Sequence, residues 1–125
     1  MEPLKGKIYW VEDTFSYEGI HKLKGKESWH IVSKIENVII DEHLIKFLVL
    51  PHIVNLASGE QFSYNVNLIP NETGMGFTGS FSEASDSDWS GEVTCERFEN
   101  SKKIMLYGRW IEDSSEYTWW AIIDK

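Results

Sequence analysis

Hydrophobic and polar residues alternate along most of the chain with a period of two, which is the period of β-strands. The clearest run extends from Phe62 to Leu68, where every second residue is polar. Such a run predicts a strand with one buried face and one polar face. Comparable alternation predicts further strands around residues 8–11, 29–34, 104–111 and 117–123.

Turn-forming residues separate these runs at hairpin spacing. They stand at residues 58–60, 70–74, 99–101 and 113–115. Only the segment Asp41–Leu50 has the spacing of a helix, and its β-branched and aromatic residues favour a strand there too. The chain is therefore predicted to form one all-β domain over residues 1–125, an antiparallel barrel of eight or nine strands, with a β-sandwich as the alternative.

Three isolated glycines favour the barrel over the sandwich. Gly79, Gly91 and Gly108 each fall inside a strand pattern. A glycine at such a position marks a bulge, a bend or a close approach of two backbones. Strongly curved sheets need positions of this kind.

The C-terminal strands combine glycine and aromatic residues in a recurring rhythm. It runs through Gly76–Phe81, Leu106–Trp110 and Tyr117–Ile122. Over residues 74–123 this rhythm resembles that of small calycin-like up-and-down barrels, the superfamily of lipocalins and avidins. The Gly-x-Trp of lipocalins is missing, since Ile8 and Tyr9 precede Trp10. The resemblance implies a barrel with an interior able to hold a small ligand.

Composition supports a packed cytoplasmic domain. The 125 residues are 42% hydrophobic and 14% aromatic, enough for a core without a metal or disulfide. Cys95 is the single cysteine, so no intramolecular disulfide can form. No N-terminal signal peptide and no apolar run of about 20 residues is recognisable, and we expect a cytoplasmic protein.

The net charge of −8 limits the partners that we expect. An acidic domain repels phosphate backbones and anionic membrane surfaces, so neither nucleic acid nor a membrane is a predicted partner. A basic protein is electrostatically suited.

No motif in the chain predicts catalysis, a metal or a cofactor. The segment Asp86–Glu92 resembles the start of a calcium loop, but Arg97 occupies the position of the final glutamate and strands flank it. The four histidines lack metal-ligand spacing. Acidic neighbours of Cys95 disfavour a thiolate there. We therefore expect no metal, no cofactor and no enzymatic activity.

The aromatic residues provide the candidate binding site. Tryptophan often fills barrel cores, which is the alternative interpretation. Trp119 and Trp120 must face opposite sides of one strand, so Trp120 is expected on an outer surface that contacts a partner or forms a homodimer. The residues predicted to line the interior are Trp10, Trp29, Tyr64, Trp110 and Trp119.

Two functions follow from the sequence. The first is a non-enzymatic binding module that holds a small apolar or planar ligand inside an aromatic-lined barrel. The alternative is an acidic protein-interaction module, such as an immunity-type protein that neutralises a basic partner. The residues predicted to contact that partner are Glu83, Asp86, Asp88, Glu92 and Trp120.

Overall fold

The protein is a closed antiparallel β-barrel. The computed structural model describes residues 4–12, 31–55, 60–73, 76–86, 88–112 and 115–125. Each strand pairs with the next, and the first pairs with the last, which confirms the predicted up-and-down barrel and leaves no second sheet for a sandwich among these residues. The described residues contain no helix long and apolar enough to cross a membrane. The strands are β1 (Leu4–Glu12), β2 (Ile31–Ile40), β3 (Ile45–Asn55), β4 (Glu60–Pro70), β5 (Phe77–Glu83), β6 (Ser90–Glu99), β7 (Lys103–Glu112) and β8 (Ser115–Asp124).

Along most of the strand residues whose side chains are described, every second side chain is buried, and the buried apolar ones form one hydrophobic core. The alternation predicted from the sequence is confirmed on β4, where Tyr64, Val66 and Leu68 are buried. On β8 it places Trp119, Ala121 and Ile123 inside.

The alternation changes phase once within β2. Ser33 and Ile35 face inward, but so does Val38, three residues after Ile35. The register against both β1 and β3 shifts at this point, so β2 contains one extra residue. Asn37, with φ 55°, has the left-handed backbone of such a bulge, and asparagine tolerates it better than most residues.

Two of the glycines allow neighbouring strands to approach closely. A Cβ atom at Gly79 would overlap the carbonyl oxygen of Asn67, and one at Gly108 would overlap that of Thr94. The prediction of close backbone approach at these glycines is confirmed, and it explains how the sheet curls enough to close.

The segment with helical spacing is a turn followed by a strand. The amide of Asp41 donates to the carbonyl of Leu44 over 3.0 Å, and the amide of His43 donates to the carboxylate of Asp41 over 2.7 Å. Strand β3 then begins at Ile45. Asp41 therefore closes a tight β2–β3 connection.

Candidate functional site

The interior of the barrel differs in composition between its two ends. At the end where β1, β3, β5 and β7 finish, most of the inward-facing residues are aromatic. At the opposite end they are largely aliphatic, as at Ile45, Leu68, Ile104 and Ile123. We call the first the aromatic end, which consists of Trp10, Tyr64, Phe81, Trp89, Trp110 and Tyr117.

Pairing between strands determines which rings meet at the aromatic end. Phe81 stacks on Trp110 with ring centroids 4.3 Å apart and planes 16° apart. The edge of Tyr64 meets both rings, at 5.4 Å from Phe81 and 5.7 Å from Trp110. Trp10 meets Trp110 at 5.3 Å and Trp89 meets Tyr64 at 6.0 Å, each nearly perpendicular. These offset and edge-on contacts are the favoured arrangements for aromatic pairs.

A carboxylate lies inside the barrel beside these rings. Glu83 follows Phe81 on the inner face of β5 and is only 6% exposed. Its carboxylate accepts hydrogen bonds from the amide and the hydroxyl of Ser85, both 2.6 Å long. The hydroxyl of Ser85 is the main reason that the pKa of Glu83 is lowered. The loop that follows β5 thus stabilises the ionised carboxylate of Glu83 through these hydrogen bonds from Ser85.

A second carboxylate, Glu112, lies at the end of β7 near the same rings. It accepts a hydrogen bond from the indole nitrogen of Trp110 over 3.4 Å. Burial raises the pKa of the Tyr64 phenol, and the nearby charges of Glu112, Tyr117 and Glu83 raise it further. The aromatic end therefore brings together apolar rings, a neutral phenol and negative charge in one place.

The predicted interior residues do not all meet. Trp10, Tyr64 and Trp110 meet at the aromatic end. Trp29 lies outside the described residues. Trp119 contacts Trp110 at 6.3 Å, but its other ring neighbour is Phe47, deeper in the core.

Trp119 has the environment of a structural core residue. It is fully buried, and its indole nitrogen donates to the carbonyl oxygens of Thr94 and Arg109, both 3.1 Å away. These two carbonyls belong to β6 and β7, so the ring joins three neighbouring strands. Trp119 is thus explained by core packing alone.

Four members of the site were not predicted from the sequence: Phe81, Trp89, Tyr117 and Glu112. Phe81 could have been found, because it stands two residues after Gly79 in an alternating strand. Trp89 is in phase with Val93 and Cys95 of β6, which is a sequence signal for an inward position. Only the fold brings it to Tyr64. The sequence places Glu112 beside a solvated turn, whereas it is the last residue of β7 and is half-buried.

The residues predicted to contact a basic partner are separated. Glu83 faces the interior, so it is not part of the acidic surface. Its carboxylate instead accepts a hydrogen bond from the amide of Ser85 in the loop that follows. Asp86, Asp88 and Glu92 are exposed as expected. The carboxylate of Asp86 accepts from the amide of Asp88 over 3.0 Å. Within the described ranges no group of three or more His, Cys, Asp or Glu side chains could hold a metal ion.

Trp120 lies on the outside of the barrel, as predicted. Its ring stacks on that of Tyr9 with centroids 5.3 Å apart and planes 9° apart. Tyr107 is opposite Trp120 on β7 and is 48% exposed, so an aromatic row crosses β1, β8 and β7 on the outer surface. This row is separate from the aromatic end, which lies inside the barrel.

Comparison with protein-family models, with curated proteins and with solved structures found no significant match to this chain.

Proposed function

We propose that the protein is a non-enzymatic binding module that takes a small planar ligand at the aromatic end of the barrel. The observation that carries this proposal is the concentration of aromatic rings and two carboxylates at one end of an interior whose opposite end is largely aliphatic. Binding pockets for small molecules combine apolar and aromatic walls with a few placed polar groups. If these positions only had to fill the core, aliphatic residues such as those at the opposite end would be sufficient.

The composition of the aromatic end favours a particular kind of ligand. Flat ring faces favour a planar molecule, because offset stacking needs two flat surfaces. When ionised, Glu83 and Glu112 accept hydrogen bonds and cannot donate them, so they favour a ligand that carries N–H or O–H donors. Trp89 is half-buried, and its backbone forms hydrogen bonds with Glu83 and Asp86 in the loop between β5 and β6. It is therefore less embedded in the core than the other rings and is the best position for a test variant.

A test needs a ligand surrogate and a pair of matched tryptophan variants. The surrogate is N-phenyl-1-naphthylamine, a neutral fluorophore with two flat aromatic groups and one N–H donor, whose emission rises in apolar surroundings. We expect wild-type protein to bind it and Trp89→Ala to bind it about tenfold more weakly, through the loss of one ring contact. Trp120→Ala removes a tryptophan from the outer surface and should leave the affinity unchanged.

Circular dichroism checks that both variants are folded. Equal affinity in wild type and Trp89→Ala, or weakening in Trp120→Ala instead, would place the binding elsewhere and contradict the proposal.

The acidic interaction module has less support in the geometry. The residues predicted to contact a basic partner do not form one surface. Glu83 faces the interior, Asp86 lies in the loop after β5, and Trp120 lies on the outer surface of β8. Of the predicted residues, the exposed acids Asp86, Asp88 and Glu92 are the ones that a basic partner would meet.

A further inference from the structure

The outer surface of the barrel carries a groove whose charge is opposite to that of the protein. The groove has a volume of about 410 Å³ and crosses strands β1, β2, β7 and β8. Four lysines and one aspartate line it, in a chain with a net charge of −8. We call it the lysine groove, and its lining residues are Lys5, Gly6, Lys7, Tyr9, Lys34, Lys103, Ile122 and Asp124.

Two of the lysines are directly opposite each other on neighbouring strands. Lys7 on β1 pairs in register with Lys34 on β2. Like charges at such positions destabilise a sheet. Neither lysine forms a salt bridge within the part of the chain that the structure describes, whereas Lys103 pairs with Asp124 over 3.0 Å. This pairing departs from the charge preferences of neighbouring strands, and departures from local rules of this kind concentrate at functional sites.

The groove also has an apolar side. Ile122 and Tyr9 lie among the lysines, and Tyr9 is fixed by its stacking on Trp120. Gly6 keeps β1 close to β8, since a Cβ atom there would overlap the carbonyl oxygen of Ile122. A ligand that carries both negative charge and an apolar group would match the lysines and the apolar side of the groove.

We propose that the lysine groove binds a small organic anion that carries phosphate groups. Lysine acts on phosphate as a compact point charge, whereas planar carboxylates are best matched by the fork of arginine, and none of the described residues that line the groove is an arginine. The acidity of the whole protein does not prevent this, because charges more than about 8–10 Å away are largely screened at physiological salt. The site is distinct from the aromatic end and does not depend on it.

Isothermal titration with inorganic pyrophosphate at low ionic strength measures the binding. The test variant is Lys34→Glu, and the matched control is Lys46→Glu, an exposed lysine on the outer face of β3. We expect wild type and Lys46→Glu to bind pyrophosphate and Lys34→Glu to bind it at least about tenfold more weakly. Because the introduced carboxylate would face Lys7 with opposite charge, Lys34→Glu should melt at the same or a higher temperature than wild type, so its lost affinity is not unfolding.

Further ligands define the class of anion. Citrate should bind more weakly than pyrophosphate, and added salt should weaken binding of pyrophosphate to the wild type. Vesicles of phosphatidylcholine with phosphatidylinositol phosphates test whether the phosphate belongs to a lipid. The proposal is overturned if pyrophosphate does not bind, if Lys46→Glu weakens binding as much as Lys34→Glu, if citrate binds equally well, or if only the vesicles bind.

Discussion

At the scale of single residues, the same amino acid serves different purposes in adjacent positions. Trp119 and Trp120 follow each other on β8, yet one is fully buried and the other lies on the outer surface. Strand alternation predicts that they face opposite sides, and the apolar partners Ala121 and Ile123 indicate which one is inside. The hydrogen bonds of Trp119 could not be predicted, because they depend on how β6 and β7 align with β8.

Replacing Trp119 by phenylalanine should lower the free energy of unfolding by about 2–3 kcal/mol, since two hydrogen bonds from the indole N–H to backbone carbonyls are lost and a small cavity remains. The matched variant Trp120→Phe should change stability by less than about 1 kcal/mol, as is usual for surface substitutions. Urea denaturation measures both. A similar cost for the two variants would mean that Trp119 does not hold the strands together as described.

Glu83 makes the stability of the protein depend on pH. Its pKa is lowered in the folded protein, mainly by the hydroxyl of Ser85, from the ordinary 4.5. The ionised carboxylate therefore stabilises the fold above about pH 4.5, and this contribution disappears as the pH falls through the lowered pKa. Wild type should be more stable than Glu83→Gln at pH 7, and the difference should shrink below about pH 4.5.

Urea denaturation at several pH values measures this difference. Glu92→Gln, at an exposed position on β6, is the control for the loss of one negative charge. A difference between wild type and Glu83→Gln that stays constant down to about pH 3 would show that the Ser85 hydrogen bonds do not favour the ionised form.

At the scale of elements, the strands and their turns were largely predictable and the bulge in β2 was not. Alternating residues and Gly, Asn, Asp and Ser clusters are local signals, so they identify strands without knowledge of their neighbours. A bulge inserts one residue that changes the phase of the alternation, and Asn37 is not a distinctive signal for it. Its cause is the need to align β2 with both β1 and β3.

The left-handed backbone at Asn37 predicts how substitutions there behave. Asn37→Val should lower the free energy of unfolding by about 1–2 kcal/mol, because a β-branched residue is strained in this region. Asn37→Gly, which has no such strain, should retain or slightly raise stability. Thermal and urea denaturation of the pair provide the comparison. If the valine variant were as stable as the glycine variant, β2 would not have a left-handed residue at this position.

At the scale of the whole molecule, closure of the barrel was predictable and the distribution of chemistry over it was not. The glycines within strands indicate a strongly curved sheet, and hairpin spacing indicates neighbours that follow chain order. The position of a ring along the barrel axis depends on the register of all eight strands. For this reason the sequence predicts Trp10, Tyr64 and Trp110 as interior residues, but not their meeting with Phe81 and Trp89 at one end.

The charge distribution shows the same limit. The lysine groove takes its residues from β1, β2, β7 and β8, which lie at opposite ends of the chain but are adjacent in the closed sheet. The sequence shows only a net charge of −8, which predicts repulsion of phosphate backbones and anionic membranes. Closure of the barrel brings these lysines together, so positive charge is concentrated in the groove although the net charge of the protein is negative.

Two-dimensional nuclear magnetic resonance of ¹⁵N-labelled protein tests whether a planar ligand binds at the aromatic end of the barrel. Five of the six tryptophans, all except Trp29, lie in the described residues, and their indole N–H signals report separately on the aromatic end, the deeper core and the outer surface. On titration with N-phenyl-1-naphthylamine, we expect the indole signals of Trp10, Trp89 and Trp110 to shift, while those of Trp119 and Trp120 stay in place. Shifts confined to Trp120, or no shifts at all at millimolar ligand, would contradict binding at the aromatic end.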